Sequence, residues 1–244
     1  MEFALSEDQR MLQASVSAYL TTASGLDDVR KVADGDAGLA GRMTTGLAEL
    51  GAAQILVPAE HGGLGLGLLD AALVQEALGA AVSPAAHMAG AMAAVGISAA
   101  GRDAQAADWL PRLATGDVRM GVAIAERAGA REGAGIDSKA GKLSGKSLFA
   151  LDVRGATHIL VCDRAGGLHI VEADAGGLTR TSLATIDRTR DFAELVFDEV
   201  SAVSLDGEND RGTAADRMMA AGRILLAADT LGAAQAMLDM AVAY

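Results

Sequence analysis

The spacing of apolar residues changes twice along the chain, and this change limits the folds that the sequence can adopt. Up to about Gly116, apolar residues recur at intervals of three or four, as at Met11, Leu12 and Val16. Beyond Gly116 they alternate with small or polar residues, and from Thr213 the helical spacing returns. These two spacings are typical of amphipathic helices and of strands. We therefore predict an α+β fold with an all-helical N-terminal domain, a middle β domain and a final helical segment, at residues 1–116, 117–206 and 207–244.

Capping and breaking residues predict where the helices begin and end. Ser6, followed by Glu7 and Asp8, provides an N-cap and an acidic first turn. Pro58 and the glycines of residues 57–65 exclude a helix there, so this segment is predicted to be a loop. The last helix reaches the end of the chain without Gly, Pro or a basic last turn, so we expect the element to continue. After the first helix, further helices are predicted at 26–33, 39–50, 68–82, 85–100, 102–113 and 213–244.

The middle of the chain alternates in short runs that are separated by glycine-rich turns about ten residues apart. Such spacing favours an antiparallel sheet or a small barrel. A loop is predicted from Ala128 to Gly135, and a turn at residues 143–146. The predicted strands are 120–125, 147–153, 158–162, 168–172, 178–182 and 192–203.

Composition and charge exclude several classes of function. The 244 residues carry a formal net charge of −12, which argues against a nucleic-acid partner, because phosphate binding needs a basic face. The single cysteine, Cys162, excludes an internal disulfide. His158 and His169 have no second ligand at metal spacing, so no metal site is expected. The N-terminus is acidic and no uninterrupted apolar run is long enough to span a membrane, so we expect a cytoplasmic protein without a membrane partner.

Residues 140–147, AGKLSGKS, satisfy a loose phosphate-loop pattern. That loop binds phosphate only between a strand and a helix, where the helix N-terminus faces the ligand. Here the residues that follow, from Ser147 to Val153, are predicted to form a strand. We therefore interpret the match as accidental.

Four segments, in order, resemble the acyl-CoA dehydrogenase family. The family hallmark Val-Pro-x-Glu-x-Gly-Gly-x-Gly is matched by the first segment, and the end of its N-terminal helical domain by the second. Thr-Glu-Pro-x-Ala-Gly-Ser-Asp corresponds to the third, with Ala125 for threonine and Arg131 for serine. Gly-x-Lys-x-Trp/Phe-Ile-Thr-Asn corresponds without a gap to the fourth, with Leu151 for threonine. The segments are residues 57–65 (VPAEHGGLG), 109–116 (WLPRLATG), 125–132 (AERAGARE) and 145–152 (GKSLFALD).

The resemblance implies a flavin enzyme that uses FAD, acts on an acyl-CoA substrate and passes electrons to an electron-transfer carrier. It also implies a homo- or hetero-oligomer, a dimer or tetramer, in which the final helix opens a four-helix bundle. Substrate contacts are implied for Arg131 and Arg223, although a solvated helix arginine remains an equal alternative for Arg223. The implied flavin contacts are Ile124, Ala125, Ala130, Arg131, Phe149, Ala150 and Leu151.

No catalytic base is identifiable in the chain by this resemblance. The family glutamate lies either just before the bundle arginine or further along the C-terminal domain. The first place corresponds to Gly222, and the second lies beyond Tyr244. Two functions therefore remain open. One is a flavin-dependent acyl-CoA dehydrogenase that forms the 2-enoyl-CoA, and the other is a non-catalytic, flavin-poor partner subunit of a heteromeric dehydrogenase.

Overall fold

The computed structural model describes residues 4–129, 131, 133–205 and 211–244. A layer of helices precedes a curled sheet, and a long helix follows it. The helices are α1 (Glu7–Ala23), α2 (Leu26–Ala33), α3 (Ala37–Glu49), α4 (Leu68–Ala80), α5 (Met88–Ala100), α6 (Asp103–Thr115), α7 (Ala125–Gly129) and α8 (Arg211–Ala243). The strands are β1 (Met120–Ala123), β2 (Gly135–Lys139), β3 (Lys142–Leu151), β4 (His158–Cys162), β5 (Leu168–Glu172), β6 (Leu178–Ser182), β7 (Phe192–Ser201) and β8 (Val203–Ser204).

The predicted first cap is confirmed. The Ser6 hydroxyl accepts a hydrogen bond from the Gln9 N–H at 3.1 Å, and the Gln9 side chain accepts one from the Ser6 N–H at 3.0 Å. This reciprocal capping box satisfies two of the helix's free N–H groups. The predicted loop at 57–65 contains only a single 3₁₀ turn, Ala59–His61.

Helices α4 and α8 cross at unusually close range because each places a glycine against the other's backbone. A Cβ on Gly79 of α4 would overlap the Asp229 carbonyl of α8. A Cβ on Gly232 of α8 would overlap the Glu76 carbonyl of α4. The two glycines therefore fix how deeply α8 sits on the helical layer.

The sheet runs in the order β6-β7-β3-β1-β4-β5-β8, with β2 paired to β3. The prediction of an antiparallel sheet needs one correction, because β1 and β4 pair in parallel, with Met120 opposite His158 and Ala123 opposite Val161. After β3 pairs antiparallel with one side of β1, the chain passes to the other side of β1 before β4 begins. Alternation along a strand does not report this direction, since both pairings have a period of two.

One turn predicted in this region was wrong. The turn predicted at residues 143–146 lies inside β3, and the hairpin turns at Ala140 and Gly141 instead. Gly145 is needed within the strand because its φ is 127° and a Cβ there would overlap the Gly135 carbonyl of β2. The phosphate-loop match therefore lies in a β-hairpin, without the following helix that phosphate binding requires.

The strand predicted at 120–125 ends at Ala123, and Ala125 begins the one-and-a-half-turn helix α7. The strand predicted at 192–203 is divided into β7 and β8. The loop predicted from Ala128 is thus helical in its first two residues.

The sheet separates two apolar cores. Its helix-facing side, including Val122, Leu160 and Ile170, packs with α5, α6 and α8. Its other side, including Ile159 and Val161, closes the inside of the curled sheet. A third core lies among α1, α3, α4 and α8.

Helix α8 is the one described helix that is long and apolar enough to cross a membrane by length and composition alone. Charged residues such as Arg223 and Asp229 interrupt this helix, so the sequence shows no long uninterrupted apolar run there. Part of α8 packs on α4 and α5, with Leu225 fully buried. Its outer face and last turns expose large apolar side chains, namely Ile224, Leu226, Leu231, Met237, Leu238, Met240 and Val242.

Candidate functional site

Glu126 joins α7 to the sheet and forms one wall of the candidate site. One carboxylate oxygen accepts a hydrogen bond from the Ser147 hydroxyl at 2.8 Å, and the other accepts one from the Leu148 N–H at 2.6 Å. On the next residue, Arg127 donates to Asp216 of α8 at 3.0 Å. Both carboxylate oxygens of Glu126 therefore accept hydrogen bonds from β3, and the side chain has a structural role.

Phe149 follows Leu148 on β3, and its backbone conformation is strained. Its φ is 56°, a left-handed conformation that is rare for a bulky residue. The ring meets Phe192 edge to face at 6.5 Å between centroids, and the Arg131 guanidinium carbon lies 5.8 Å from the Phe149 centroid. The side chain is nevertheless 41% exposed. Strain at an exposed aromatic residue is a reason to look for a binding role.

The implied flavin contacts are brought together only in part. Three of them, Ala125, Arg131 and Phe149, line one pocket of about 210 Å³, together with Glu126, Ala128, Gly129 and Leu148. Ile124 and Ala150 are buried behind it. Leu151 is partly buried and packs against the core between sheet and helices. Ala130 lies outside the described residues.

Asp152, directly after β3, links the sheet to the helical layer. Its carboxylate accepts a hydrogen bond from the Ala89 N–H in the first turn of α5 at 3.3 Å. Burial raises the pKa of Asp152 from 3.8 to about 6, and Asp191 contributes to the rise, whereas Arg190 and the Ala89 N–H oppose it. Asp152 therefore titrates near neutrality.

A second polar cluster joins α4, α5, α8 and the β6–β7 loop. Gln75 is fully buried and donates to Asp229 at 2.8 Å, while Arg190 donates to the same Asp229 oxygen at 2.5 Å. The Gln75 carbonyl oxygen lies 3.0 Å from Nδ1 of His87, so that nitrogen carries the proton. Burial lowers the pKa of His87 to about 4, and the ring is neutral.

Arg223 and Gly222 occupy neighbouring positions on α8 and face different surroundings. Arg223 is exposed and forms no ion pair within the described part of the chain. Gly222 is buried, and a Cβ there would lie 2.8 Å from the sulfur of Met92 on α5. A side chain at residue 222 would thus require Met92 to move, whereas the side chain of Arg223 lies in solvent.

Asp163, His169 and Ser204 form a hydrogen-bonded row at the far edge of the sheet. Nε2 of His169 lies 2.8 Å from the Asp163 carboxylate, and its Nδ1 lies 2.9 Å from the Ser204 hydroxyl. Burial opposes ionisation of Asp163, but hydrogen bonds from His169 and the Gly167 N–H outweigh it and lower its pKa. The row joins the β4–β5 turn to β8.

Among the described residues, no three His, Cys, Asp or Glu side chains come together as metal ligands.

The sequence did not reveal Asp152, Gln75, Asp229 or Arg190 as members of polar clusters. Gln75 and Asp229 are 154 positions apart, and neither lies in a motif. The one available signal was a charged or amide side chain on an otherwise apolar helical face, as at Gln75 between Val74 and Ala77.

The comparisons with known proteins agree with this architecture. Residues 6–117 match the family model described as acyl-CoA dehydrogenase, N-terminal domain. Two relatives named acyl-CoA dehydrogenase IpdE2 match 98% of the chain, one from Mycobacterium tuberculosis at 30% identity and one from Mycolicibacterium smegmatis at 26%. Residues 6–117 therefore belong to the N-terminal domain of the acyl-CoA dehydrogenase family, and the chain as a whole is similar to acyl-CoA dehydrogenases. It spans 64% and 65% of the length of these two relatives.

Solved structures extend the comparison to the whole described fold. The Tcur3481-Tcur3483 steroid acyl-CoA dehydrogenase matches 98% of this chain and 66% of its own, with 28% identity and a TM-score of 0.82. The ChsE4-ChsE5 complex from Mycobacterium tuberculosis gives a TM-score of 0.85 at 20% identity, over the full chain and 68% of its own. A glutaryl-CoA dehydrogenase from Mycobacterium smegmatis in complex with FADH2 gives 0.83 at 21%, over 98% and 66%.

Proposed function

We propose that the protein takes part in the α,β-oxidation of an acyl-CoA thioester to the 2-enoyl-CoA. The observation that carries this proposal is the meeting of two family segments in one pocket, where Ala125, Arg131 and Phe149 lie together although 24 positions separate Ala125 and Phe149. We propose that the complete assembly uses FAD, the cofactor of the family reaction, and passes electrons to an electron-transfer carrier.

Residues of this chain would supply orientation and substrate contact. Glu126 holds Leu148, so Phe149 is kept at the pocket edge in its strained conformation. Arg223, exposed on α8, would meet an anionic part of the acyl-CoA, since a guanidinium pairs well with carboxylate and phosphate groups. Residue 222 is a glycine and offers no base, so we propose that the base for the α-proton comes from elsewhere in the complete assembly.

The residues present do not fit a bound flavin as they stand. Ala125 and Leu151 offer hydrocarbon where the family has hydroxyl groups, and Leu151 is already packed against the core. The Arg131 guanidinium lies over the Phe149 ring. These observations favour the second candidate function, a flavin-poor partner subunit in a heteromeric acyl-CoA dehydrogenase.

An oligomeric setting is supported by the surface of α8. Its exposed apolar side chains include Leu231, Met237 and Leu238, and further helices of the same protein or of a partner subunit would bury them. A heteromeric relative is consistent with this, since the solved Tcur3481-Tcur3483 enzyme is named for two proteins. We propose a homo- or hetero-oligomer, a dimer or tetramer.

A screen of acyl-CoA substrates tests the proposed function. The intact protein, alone and purified together with the product of its neighbouring gene, is mixed with each acyl-CoA and an artificial electron acceptor. We expect reduction of the acceptor and formation of 2-enoyl-CoA with at least one substrate. Absence of turnover in both preparations with every acyl-CoA would overturn the proposal.

A further inference from the structure

The contact between Arg131 and Phe149 closes the pocket from inside. The ring of Phe149 packs nearly perpendicular to that of Phe192, at 6.5 Å between centroids and 80° between ring planes, and a planar ligand would stack on a face of Phe149. The guanidinium of Arg131 lies over that ring, with its central carbon 5.8 Å from the centroid. A guanidinium over an aromatic face is attracted to it, and it competes with any planar ligand for the same surface.

The pocket is also small for a planar cofactor. At about 210 Å³, it is smaller than the roughly 300–1,000 Å³ that is usual for small-molecule and cofactor sites. Arg131 is itself part of the lining. Its side chain is exposed, and among the described residues it forms no ion pair and contacts the ring of Phe149.

Three of the other residues that line the pocket are too small to exclude a ring. Ala125, Ala128 and Gly129 contribute little side-chain volume. Glu126 is held away by its bonds to Ser147 and Leu148. Arg131 is therefore the residue whose removal enlarges the pocket most without loosening α7 or β3.

We infer that Arg131 gates this pocket: its guanidinium occupies the face of Phe149 and excludes a planar aromatic ligand of the flavin type. The inference rests on the proposed function for the identity of the ligand. It reverses the role that the family resemblance implies for Arg131, from a cofactor contact to an obstacle. A serine at this position would expose the ring and open the site.

Flavin titration of the intact protein tests the gate without measuring turnover. Free FAD is titrated with wild type, Arg131→Ser and Arg10→Ser, and binding is followed by flavin fluorescence and equilibrium dialysis. Arg10 is an exposed arginine of α1, so its substitution is the matched control for loss of one positive charge. Circular dichroism and thermal melting establish that all three proteins fold alike.

We expect Arg131→Ser to bind FAD about two- to fivefold more tightly than wild type, since an exposed cation–π contact corresponds to a factor of this order. Arg10→Ser should match wild type, and adding Phe149→Leu to Arg131→Ser should abolish the gain. Equal affinity of wild type and Arg131→Ser, including undetectable binding by both, overturns the gate. Weaker binding by Arg131→Ser overturns it as well and makes Arg131 a flavin ligand. Failure of the acyl-CoA screen alone would sink the proposed function and leave these affinities interpretable.

Discussion

Gln75 and Asp229 are hydrogen-bonded at 2.8 Å although 154 positions separate them, and this bond ties α8 to the centre of the helical layer. Arg190 reaches the same carboxylate from the loop before β7, so one side chain joins the helices to the sheet. The side chains of Asp229 and Arg190 are each only 18% exposed.

Replacing Asp229 by alanine should lower the free energy of unfolding by about 3 kcal/mol. The substitution leaves Arg190 unpaired and Gln75 without its acceptor, and removing one partner of a buried pair costs about this much. Urea denaturation measures the change. Asp239→Ala, at an exposed position of the same helix, is the control and should stay within about 0.5 kcal/mol of wild type. Equal effects of the two substitutions would show that Asp229 contributes nothing beyond a surface carboxylate.

Two glycine-to-alanine substitutions should have opposite signs. Gly79→Ala should destabilise the protein by about 1–3 kcal/mol, because the new methyl group overlaps the Asp229 carbonyl. Gly90 lies in helix α5 with nothing within 4 Å of its Cβ position. There alanine should stabilise by about 0.5–1 kcal/mol through its higher helix propensity. Thermal melting of both variants checks the contrast, and a stabilising Gly79→Ala would contradict the close crossing of α4 and α8.

The pKa of Asp152 predicts a stability change with pH. Because its pKa rises from 3.8 to about 6 on folding, the folded state binds the proton more tightly, and that stabilisation is present below pH 3.8 and lost as pH rises through 6. Asp152→Asn keeps an acceptor for the Ala89 N–H and removes the titration. The variant should therefore gain stability relative to wild type between pH 4 and pH 7, by up to about 2–3 kcal/mol. A stability difference that is constant over this range would assign Asp152 an ordinary pKa.

Much of this architecture could be predicted from sequence, and the residues explain where prediction failed. Alternation located β4, β5 and β6 at their observed bounds, and Ser6 located the start of α1. The turn at 143–146 was predicted from Gly145, because a glycine can mark either a turn or a close approach between strands. Only the position of β2 shows that Gly145 marks a close approach. The polar clusters around Asp152 and Asp229 depend on side chains that the fold brings together from distant segments, and no spacing rule reports such contacts.

Arg223 provides a test of substrate contact on α8. Arg223→Ala should weaken acyl-CoA binding about tenfold or more, since a charged contact to a ligand contributes roughly 1.5–3 kcal/mol. The fold should be unaffected, because the side chain is exposed. Calorimetric titration of the intact protein gives the affinity, with Arg217→Ala as a control one and a half turns earlier. Unchanged affinity would make Arg223 a solvated helix residue.

We propose that this chain, although similar to acyl-CoA dehydrogenases, holds no flavin by itself. Two absent hydroxyl groups, at Ala125 and Leu151, would each remove about 0.5–1.5 kcal/mol, or roughly fivefold to a hundredfold or more in affinity together. The direct measurement is the visible absorption spectrum of the purified 244-residue protein, with its mass in solution determined in parallel. We predict a colourless, flavin-free protein that associates with itself or a partner through α8. A flavin spectrum at one equivalent per chain in a monomeric preparation would contradict the claim.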